Sequence, residues 1–216
     1  IISHPLTALC ITRSHVFKAI ARLRENSAAG PDGLPPKFYK RCARQICVPL
    51  QSLFVKSLQT GELPDDWKLS KVVPVYKKLS RSCPANYRPV ALTACKIMER
   101  IIKTVVTDHL DNNNIICSNQ HGFRAGKSTQ TSLLQSLNDW TTELDAGHSV
   151  DVIYFDVSKA FDTVVHSKLL AKLENYGITG PIFHWIKAFL CDRKQFVSID
   201  GTESPVAPVV SGVPQG

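Results

Sequence analysis

The run Val-Asp-Val-Ile-Tyr-Phe at 150–155 ends at the carboxylate of Asp156, and Phe161 and Asp162 follow within six residues. Its short length and its β-branched and aromatic side chains predict a buried strand over 150–156. A buried strand that delivers a carboxylate to an open edge suits a hard cation, because Mg2+ takes oxygen ligands and is often bound through one or two carboxylates. Asp156 is therefore the first candidate metal ligand.

Length and composition describe an ordinary globular protein. The 216 residues suffice for a substantial core in one large domain or two small ones. Hydrophobic residues make up 44% and charged residues 20%, both typical of soluble domains. We expect no membrane-spanning segment, because no apolar run is long enough to cross a bilayer, and we expect no signal peptide at Ile1.

The charge is distributed unevenly along the chain. Residues 1–127 contain 20 Lys and Arg against 8 Asp and Glu, whereas residues 128–216 contain 6 against 10. A basic first part suits a polyanion, and an acidic second part that supplies carboxylates suits phosphate chemistry. The asymmetry points to nucleic acid as a partner.

The seven cysteines are odd in number and form no Cys-x-x-Cys pair, and the histidines do not join them at zinc-ligand spacing. We therefore expect free cysteines in a reducing compartment, with neither a disulfide framework nor structural zinc.

Hydrophobic periodicity and turn residues predict an α+β fold with helices dominating its first part. The predicted helices are 14–26, 37–60 with Pro49 opening a second piece, 93–110, 128–144, 166–175 and 181–190. The predicted strands are 69–76, 150–156, 194–200 and 206–210, and after Lys78 a polar loop leads to the segment 86–90.

Several turn-and-charge clusters occur in the order and at the spacings of one enzyme family. They are Ala-Gly-Pro-Asp-Gly at 29–33, Val-Pro-Val-Tyr-Lys-Lys at 73–78, Asn-Tyr-Arg-Pro-Val-Ala-Leu at 86–92, Gln-His-Gly-Phe-Arg at 120–124, Phe-Asp-Val-Ser-Lys-Ala-Phe-Asp at 155–162 and Gly-Val-Pro-Gln-Gly at 212–216. With these motifs the chain resembles the reverse transcriptase domain of a non-LTR (LINE-type) retrotransposon. The resemblance covers about residue 27 to the last residue.

The resemblance implies part of a right-hand polymerase fold within one reverse transcriptase domain. Residues 1–147 correspond mainly to basic fingers, and 148–216 to the start of the palm with interleaved fingers helices. The thumb is expected beyond this chain.

The resemblance also implies RNA-directed DNA synthesis, in which a primer 3'-hydroxyl attacks the α-phosphate of a dNTP and two Mg2+ ions, replaceable by Mn2+, stabilise the attacking and leaving oxygens. Asp156, together with Val157, matches the metal position. The family's further pair of aspartates, in a Tyr-Ala-Asp-Asp type hairpin, does not occur in these 216 residues. We expect the fragment alone to be inactive.

The resemblance implies a nucleotide site with residues from three places. They are Val157, Ala160 and Phe161 from the motif at 155–162, Lys77, Lys78 and Arg88 from the fingers, and Gln215 from the motif at 212–216. Ala160 would support the triphosphate through its backbone N–H, and the Phe161 ring would exclude a 2'-hydroxyl. Cationic side chains would meet the phosphates, and the sequence does not decide between the two lysines. The residues alone also allow a core phenylalanine and two exposed strand-end lysines, and we interpret Asp162 as a capping or positional residue.

A template-side contact is implied for Gln120, Gly122, Phe123, Arg124 and Lys127, where a glycine permits close approach, cations meet phosphate and an aromatic ring packs under a base. The same residues also fit a plain helix-entry turn capped by Ser128. A basic stripe, Lys37, Lys40, Arg41 and Arg44, is either a solvated face or an RNA contact.

Two rival interpretations remain. Gly126-Lys127-Ser128-Thr129 with Asp156 superficially suggests a P-loop NTPase, but the required glycine five residues before Gly126 is replaced by His121. A non-catalytic nucleic-acid-binding remnant of a retrotransposon is the more serious alternative.

The partners implied by the resemblance are an RNA template, a DNA primer and target chromosomal DNA, and we expect no membrane partner. Action in the nucleus after translation in the cytoplasm follows from the resemblance alone. The sequence does not indicate the host element, its target site, an accompanying endonuclease or the oligomeric state.

Overall fold

The computed structural model describes residues 4–215 of the chain. Its helices are α1 (Arg13–Ala21), α2 (Pro36–Arg41), α3 (Ala43–Thr60), α4 (Asp65–Lys68), α5 (Lys96–Asn112), α6 (Thr129–Asp145), α7 (His166–Asn175) and α8 (Gly180–Leu190). Its strands are β1 (Leu69–Tyr76), β2 (Tyr87–Thr93), β3 (Lys194–Ile199), β4 (Thr202–Glu203) and β5 (Ala207–Pro208). The fold is thus a mixture of helices and one mixed sheet, as the α+β prediction requires.

The sheet joins strands that are far apart in sequence. β1 pairs antiparallel with β2, with Ser70 opposite Thr93 and Tyr76 opposite Tyr87. On its other side β1 pairs parallel with β3, and β3 pairs antiparallel with both β4 and β5. β1 and β3 are therefore the internal strands, and the hairpin β1–β2 forms one side of the sheet.

Local capping chemistry sets several helix ends. Ser128 accepts a hydrogen bond from the Thr131 N–H at 3.2 Å, and the Thr131 side chain accepts from the Ser128 N–H, so α6 begins with a capping box. At the C-terminus of α3, Gly61 adopts a left-handed conformation. The predicted ends at Ser128 and Gly61 are confirmed.

One hydrophobic core is formed by α1, α3, α5 and α8. Val16, Ile20, Met98, Ile182 and Trp185 are almost fully buried in it. The Trp185 indole N–H donates to the Ser57 hydroxyl at 3.2 Å, so its polar atom is satisfied inside this core. The helical part of the chain therefore supplies most of the burial.

The chain forms two compact units. The first comprises the residues up to His109 and those from Lys159 onward, and the second is Leu110–Ser158. The sheet and the hydrophobic core belong to the first unit. These limits differ from the predicted division into 1–147 and 148–216, which concerned polymerase subdomains and stays a prediction.

The predicted strand over 150–156 is wrong. In the part of the chain that the structure describes, this segment pairs with no strand, and Ile153, Tyr154 and Phe155 are 74%, 83% and 90% exposed. Strand propensity reports how well a side chain fits a pleated, half-buried surface, and it has no effect without a neighbouring strand to supply that surface.

Two further predictions need correction. Pro49 does not open a helix: α3 runs through it from Ala43, and the break falls at Cys42. Residues 87–93, for which no strand was predicted, form β2, an edge strand of the sheet, where Pro89 is tolerated.

Candidate functional site

A network of hydrogen bonds joins the turn around Phe161 to the C-terminal segment. The Val213 N–H donates to the Phe161 carbonyl at 2.9 Å, and the Gly212 N–H donates to the Val164 carbonyl at 2.9 Å. The Ser211 hydroxyl donates to the Asp162 carbonyl at 3.0 Å. We call this contact between residues 161–166 and 211–213 the clasp.

Gly212 is the residue that allows the two backbones of the clasp to touch. Its φ is +84°, and a Cβ atom at this position would lie 2.8 Å from the Phe161 carbonyl oxygen and 2.9 Å from the Asp162 Cα. A side chain would therefore meet backbone, which cannot rotate away. The glycine in the motif at 212–216 has a packing reason as well as a conformational one.

Beyond the clasp, the C-terminal segment crosses the sheet. β5 pairs with β3 at one end, and at the other the Ala91 N–H of β2 donates to the Gln215 carbonyl at 2.6 Å. Between these anchors, the segment lies against a cavity of about 280 Å3. Its walls include Val72, Pro89, Ala91, Asp162, Gln195, and residues 208–215.

The structure thus brings two of the predicted nucleotide-site motifs together. Phe161 is part of the clasp, and Gln215, just beyond Val213, is anchored on β2 through its backbone. Ala160 is exposed at the tip of the turn, where its carbonyl accepts from the Thr163 hydroxyl at 3.5 Å. Asp162 contributes its backbone carbonyl to the clasp, in the manner of a positional residue.

The three predicted phosphate-binding cations lie at or near the loop that connects β1 to β2. Arg88 is opposite Val75, and the Lys77 N–H donates to the Asn86 carbonyl at 2.8 Å. Because side chains alternate along a strand, Arg88 and Lys77 share one face of the hairpin, whereas Pro89 and Ala91 line the cavity on the other. Lys77 and Lys78 both lie beyond the end of β1 and are exposed.

Asp156 and Val157 belong to the second unit. Both are exposed, Val157 by 67%. Among the residues that the structure describes, no three His, Cys, Asp or Glu side chains are grouped so as to hold a metal ion. Asp156 fits as a single oxygen ligand, but residues 4–215 do not by themselves form the carboxylate set of a two-metal site.

The predicted template-side residues form a turn before α6, also in the second unit. Arg124 forms an ion pair with Asp111, and the Lys127 ammonium donates to the Ser118 carbonyl. His121 contacts the Thr131 hydroxyl and the Gln135 amide oxygen, each at 2.9 Å. Gln120 contacts the Gly122 carbonyl at 3.4 Å, and the Phe123 ring is 88% exposed at φ +61°. The two cations therefore hold the turn in place, and the ring is largely exposed.

A buried polar network lies at the ends of β1 and β2 near Ser70 and Thr93, and sequence analysis missed it. Arg193 is 2% exposed, donates to the Ser70 hydroxyl at 2.5 Å and lies 4.5 Å from the centre of the Phe189 ring. The Glu99 carboxylate accepts from Thr93 at 2.5 Å and from the Cys95 thiol at 3.1 Å.

Burial shifts the ionisation of this network. Desolvation, followed by the nearby Glu99 carboxylate, raises the pKa of the Cys95 thiol well above its usual value. Desolvation lowers the pKa of Arg193, an effect that Cys95 and Glu99 oppose. An arginine with so high an ordinary pKa stays charged, so the network stabilises a buried cation.

Sequence analysis also missed the contact that His166 makes with the clasp. It is the first residue of α7, and its Nε2 lies 2.7 Å from the Gly212 carbonyl oxygen. The two residues are 46 positions apart, and no local pattern in the sequence connects them.

Comparison with known proteins places the chain in a family. Residues 75–216 match the family model described as Reverse transcriptase (RNA-dependent DNA polymerase). This match includes both sides of the clasp, the segment with Asp156 and most of the β1–β2 hairpin motif.

Curated relatives are encoded by mobile elements. The chain is 30% identical over 217 residues to the RNA-directed DNA polymerase from mobile element jockey of Drosophila melanogaster, covering 99% of this chain and 23% of the relative. It is 29% identical over 205 residues to a probable RNA-directed DNA polymerase from transposon X-element of the same species, covering 93% and 22%. It is 24% identical to a Pol polyprotein from type-1 retrotransposable element R2 of Popillia japonica, covering 94% and 29%.

The chain spans less than a quarter of the length of the two Drosophila relatives. Among the described residues, no helix is both long enough and apolar enough to cross a bilayer. The family match extends over well more than half of the chain and agrees with the non-LTR retrotransposon resemblance. The chain belongs to the reverse transcriptase (RNA-dependent DNA polymerase) family.

Proposed function

We propose that this chain is part of an RNA-directed DNA polymerase that extends a DNA primer on an RNA template with dNTPs. The observation that carries the proposal is the clasp: Val213 donates to the Phe161 carbonyl, so two segments that the family model includes meet at one cavity. The family membership and the names of the relatives support the same reaction.

The nucleotide side of the proposed site is built on the clasp. The Phe161 ring lies under the sugar and rejects a 2'-hydroxyl by steric exclusion, while the Ala160 N–H supports the triphosphate. The Gln215 amide, which both donates and accepts, contacts the sugar or template base. The backbone bond from Ala91 to Gln215 supports this role because it fixes the residue against β2.

The fingers side is proposed to supply fixed positive charge. Arg88 and Lys77 share one face of the β1–β2 hairpin, which favours Lys77 over Lys78 as the partner of Arg88 at the phosphates. Charge at this position stabilises the negative charge that develops on the leaving pyrophosphate.

Asp156, with Val157 beside it, is proposed as one metal contact, and Mg2+ or Mn2+ would stabilise the attacking and leaving oxygens when bound. Since the described residues place no second and third carboxylate around Asp156, we propose that the remaining ligands come from a later hairpin of the polypeptide, in the palm of a right-hand fold. The 216 residues alone would then be inactive.

The proposed partners are an RNA template, a DNA primer and the chromosomal DNA that receives the copy, which places the reaction in the nucleus. The net excess of basic residues in 1–127 supports a polyanionic partner. In the turn before α6, Phe123 is the proposed stacking contact with a template base, because its ring is 88% exposed.

The test is primer extension by the polypeptide of the complete reading frame, on an RNA template with a DNA primer, dNTPs and Mg2+. Asp156→Ala is expected to abolish extension, and Asp151→Ala is the matched control because Asp151 is an exposed aspartate of the same segment. Extension that survives Asp156→Ala would refute the metal role.

A non-catalytic remnant of a retrotransposon makes the opposite prediction. Reading the coding sequence past Gly216 distinguishes the two, because a hairpin with paired aspartates supports the polymerase, and a stop codon or frameshift supports the remnant. RNA binding without extension in the assay would support the remnant as well.

A further inference from the structure

The imidazole of His166 is the side chain that closes the clasp from the helix side. Its Nε2 lies 2.7 Å from the Gly212 carbonyl oxygen, and the ring is partly buried. A carbonyl oxygen only accepts, so Nε2 carries the proton and donates it. Gly212 is therefore held at both of its backbone groups, since its own N–H donates to the Val164 carbonyl.

This bond connects a rigid element to the segment that carries Gln215. His166 is the first residue of α7, and α7 packs against α8, whose Trp185 is in the hydrophobic core. Gly212, at φ +84°, lies three residues before Gln215 and directly against the Phe161–Asp162 backbone. A shift of the Gly212 carbonyl would move Phe161 and Gln215 relative to each other.

We propose that His166 is a positioning residue for nucleotide selection: it anchors Gly212 to the start of α7 and so fixes the distance between the Phe161 ring and Gln215. The inference rests on the proposed function, because the selected ligand is the dNTP of that site. His166 touches neither nucleotide nor metal in this account.

The other bonds of the clasp explain why His166 is the informative side chain. The Val213 and Gly212 N–H groups belong to the backbone and survive any side-chain change. The Ser211 hydroxyl is exposed, so water can replace its bond to Asp162. The His166 bond is less accessible to water, and its loss leaves the Gly212 carbonyl without that partner.

The experiment compares His166→Ala and His166→Gln in the polypeptide of the complete reading frame. A net loss of one hydrogen bond predicts that His166→Ala raises the KM for dNTP and lowers the deoxy-over-ribo preference by about three- to tenfold, with kcat changed less. His166→Gln, whose amide also donates, is expected to restore most of both values.

His109→Ala is the matched control. His109 Nε2 likewise lies 2.6 Å from a backbone carbonyl, that of Tyr176, but neither residue lines the cavity. Loss of this bond is expected to lower thermal stability without changing the deoxy-over-ribo preference. Equal changes of preference in His166→Ala and His109→Ala would overturn the proposal, because the effect would then be general destabilisation.

Hydrogen exchange separates failure of this inference from failure of the proposed function. In His166→Ala, the amides of Gly212 and Val213 are expected to exchange faster than in the wild type while those of α8 do not. Unchanged exchange at Gly212 and Val213 overturns the positioning role whether or not the wild type extends primers. If His166→Ala shows the expected faster exchange but the wild type does not extend primers, only the proposed polymerase function is refuted.

Discussion

The segment before Asp156 and the turn at Phe161 are separated by a few residues and differ in how they are held. In the first, Phe155 is 90% exposed and pairs with no described strand. In the second, the Phe161 carbonyl accepts from Val213, and Gly212 packs against its backbone. Both carry motif residues, but only the second has its partner segment in the described structure. The residues of a motif are held in a defined position only where other parts of the chain contact them.

The difference has an energetic side. Fully burying a large apolar side chain contributes about 1.5–3 kcal/mol, and the exposed Ile153, Tyr154 and Phe155 realise little of it. The clasp is held instead by hydrogen bonds and close backbone contact. An added Cβ atom at Gly212 would clash with this backbone. Substitutions should therefore lower the free energy of unfolding more at Gly212 than in the exposed segment.

The largest difference in stability is expected between one truncation made in the core and the same truncation made in the exposed segment. Phe54→Ala is expected to lower the free energy of unfolding by about 3–5 kcal/mol, because Phe54 is 2% exposed. Phe155→Ala should change it by less than about 0.5 kcal/mol, as for other exposed positions. Denaturant titration of the purified chain measures both, and a large loss for Phe155→Ala would mean that the segment is packed.

Next comes the close approach at Gly212. Gly212→Ala is expected to cost about 2 kcal/mol more in unfolding free energy than Gly201→Ala, since strain and clash combine at the first position. Gly201 has nearly the same φ, +83°, but a Cβ there meets no atom of the described residues within 4 Å. Similar losses at the two glycines, measured by denaturant titration, would show that the clasp does not restrict this position.

Two cysteines, one in each unit, extend the comparison of exposed and buried regions to thiol reactivity and to the pH dependence of stability. Exposed Cys117, in the second unit, is expected to react with iodoacetamide at once, and buried Cys95, in the first, only on unfolding. The raised pKa keeps Cys95 protonated in the folded state, whereas the unfolded thiol ionises above about pH 8.5. Stability from this group is therefore present below that pH and lost as pH rises.

Unfolding free energies at several pH values check the sign. Wild type should lose more stability than Cys95→Ala above about pH 8.5, with a limiting slope of about 1.4 kcal/mol per pH unit. Parallel pH dependences for the two proteins would contradict the assignment of this proton to Cys95.

The smallest effect is expected at the exposed edge of the clasp. Ser211→Ala should lower the free energy of unfolding by about 0.5 kcal/mol, because water replaces the hydroxyl at the Asp162 carbonyl. A loss as large as that of Gly212→Ala would mean that the Ser211 bond, rather than close packing, holds the clasp.

Local signals predicted much of the fold. The α7 limits, 166–175, are confirmed because the turn residues beside it mark its ends, and the valine-rich strand at 69–76 is confirmed as β1. β2 was missed because Arg88 and Pro89 interrupt the expected pattern, although pairing with β1 supplies the backbone partners. The prediction of a strand at 150–156 is wrong for the opposite reason. Its composition favours a strand, but no strand of the described residues pairs with it.

The candidate site was predictable only where a motif carried it. Phe161, Gln215 and the Gly212 turn were found from the resemblance, but the hydrogen bonds of the clasp join residues about 50 positions apart, and Gln215 bonds to the more distant Ala91. His166 and the buried Arg193 network carry no sequence signal, because their contacts are set by packing of α7, α8 and the sheet. Contacts of this kind require the fold.

The deoxy-over-ribo preference of Phe161→Val and Phe155→Val tests the central claim most directly, because it makes the same substitution in the two regions. Both variants are compared with the wild-type polypeptide of the complete reading frame, in steady-state extension with dNTP or rNTP. The account predicts that Phe161→Val lowers the preference by about ten- to a hundredfold, as expected when a steric contact is removed, whereas Phe155→Val leaves the ratio unchanged. An unchanged preference in Phe161→Val, or an equal fall in both variants, would contradict it.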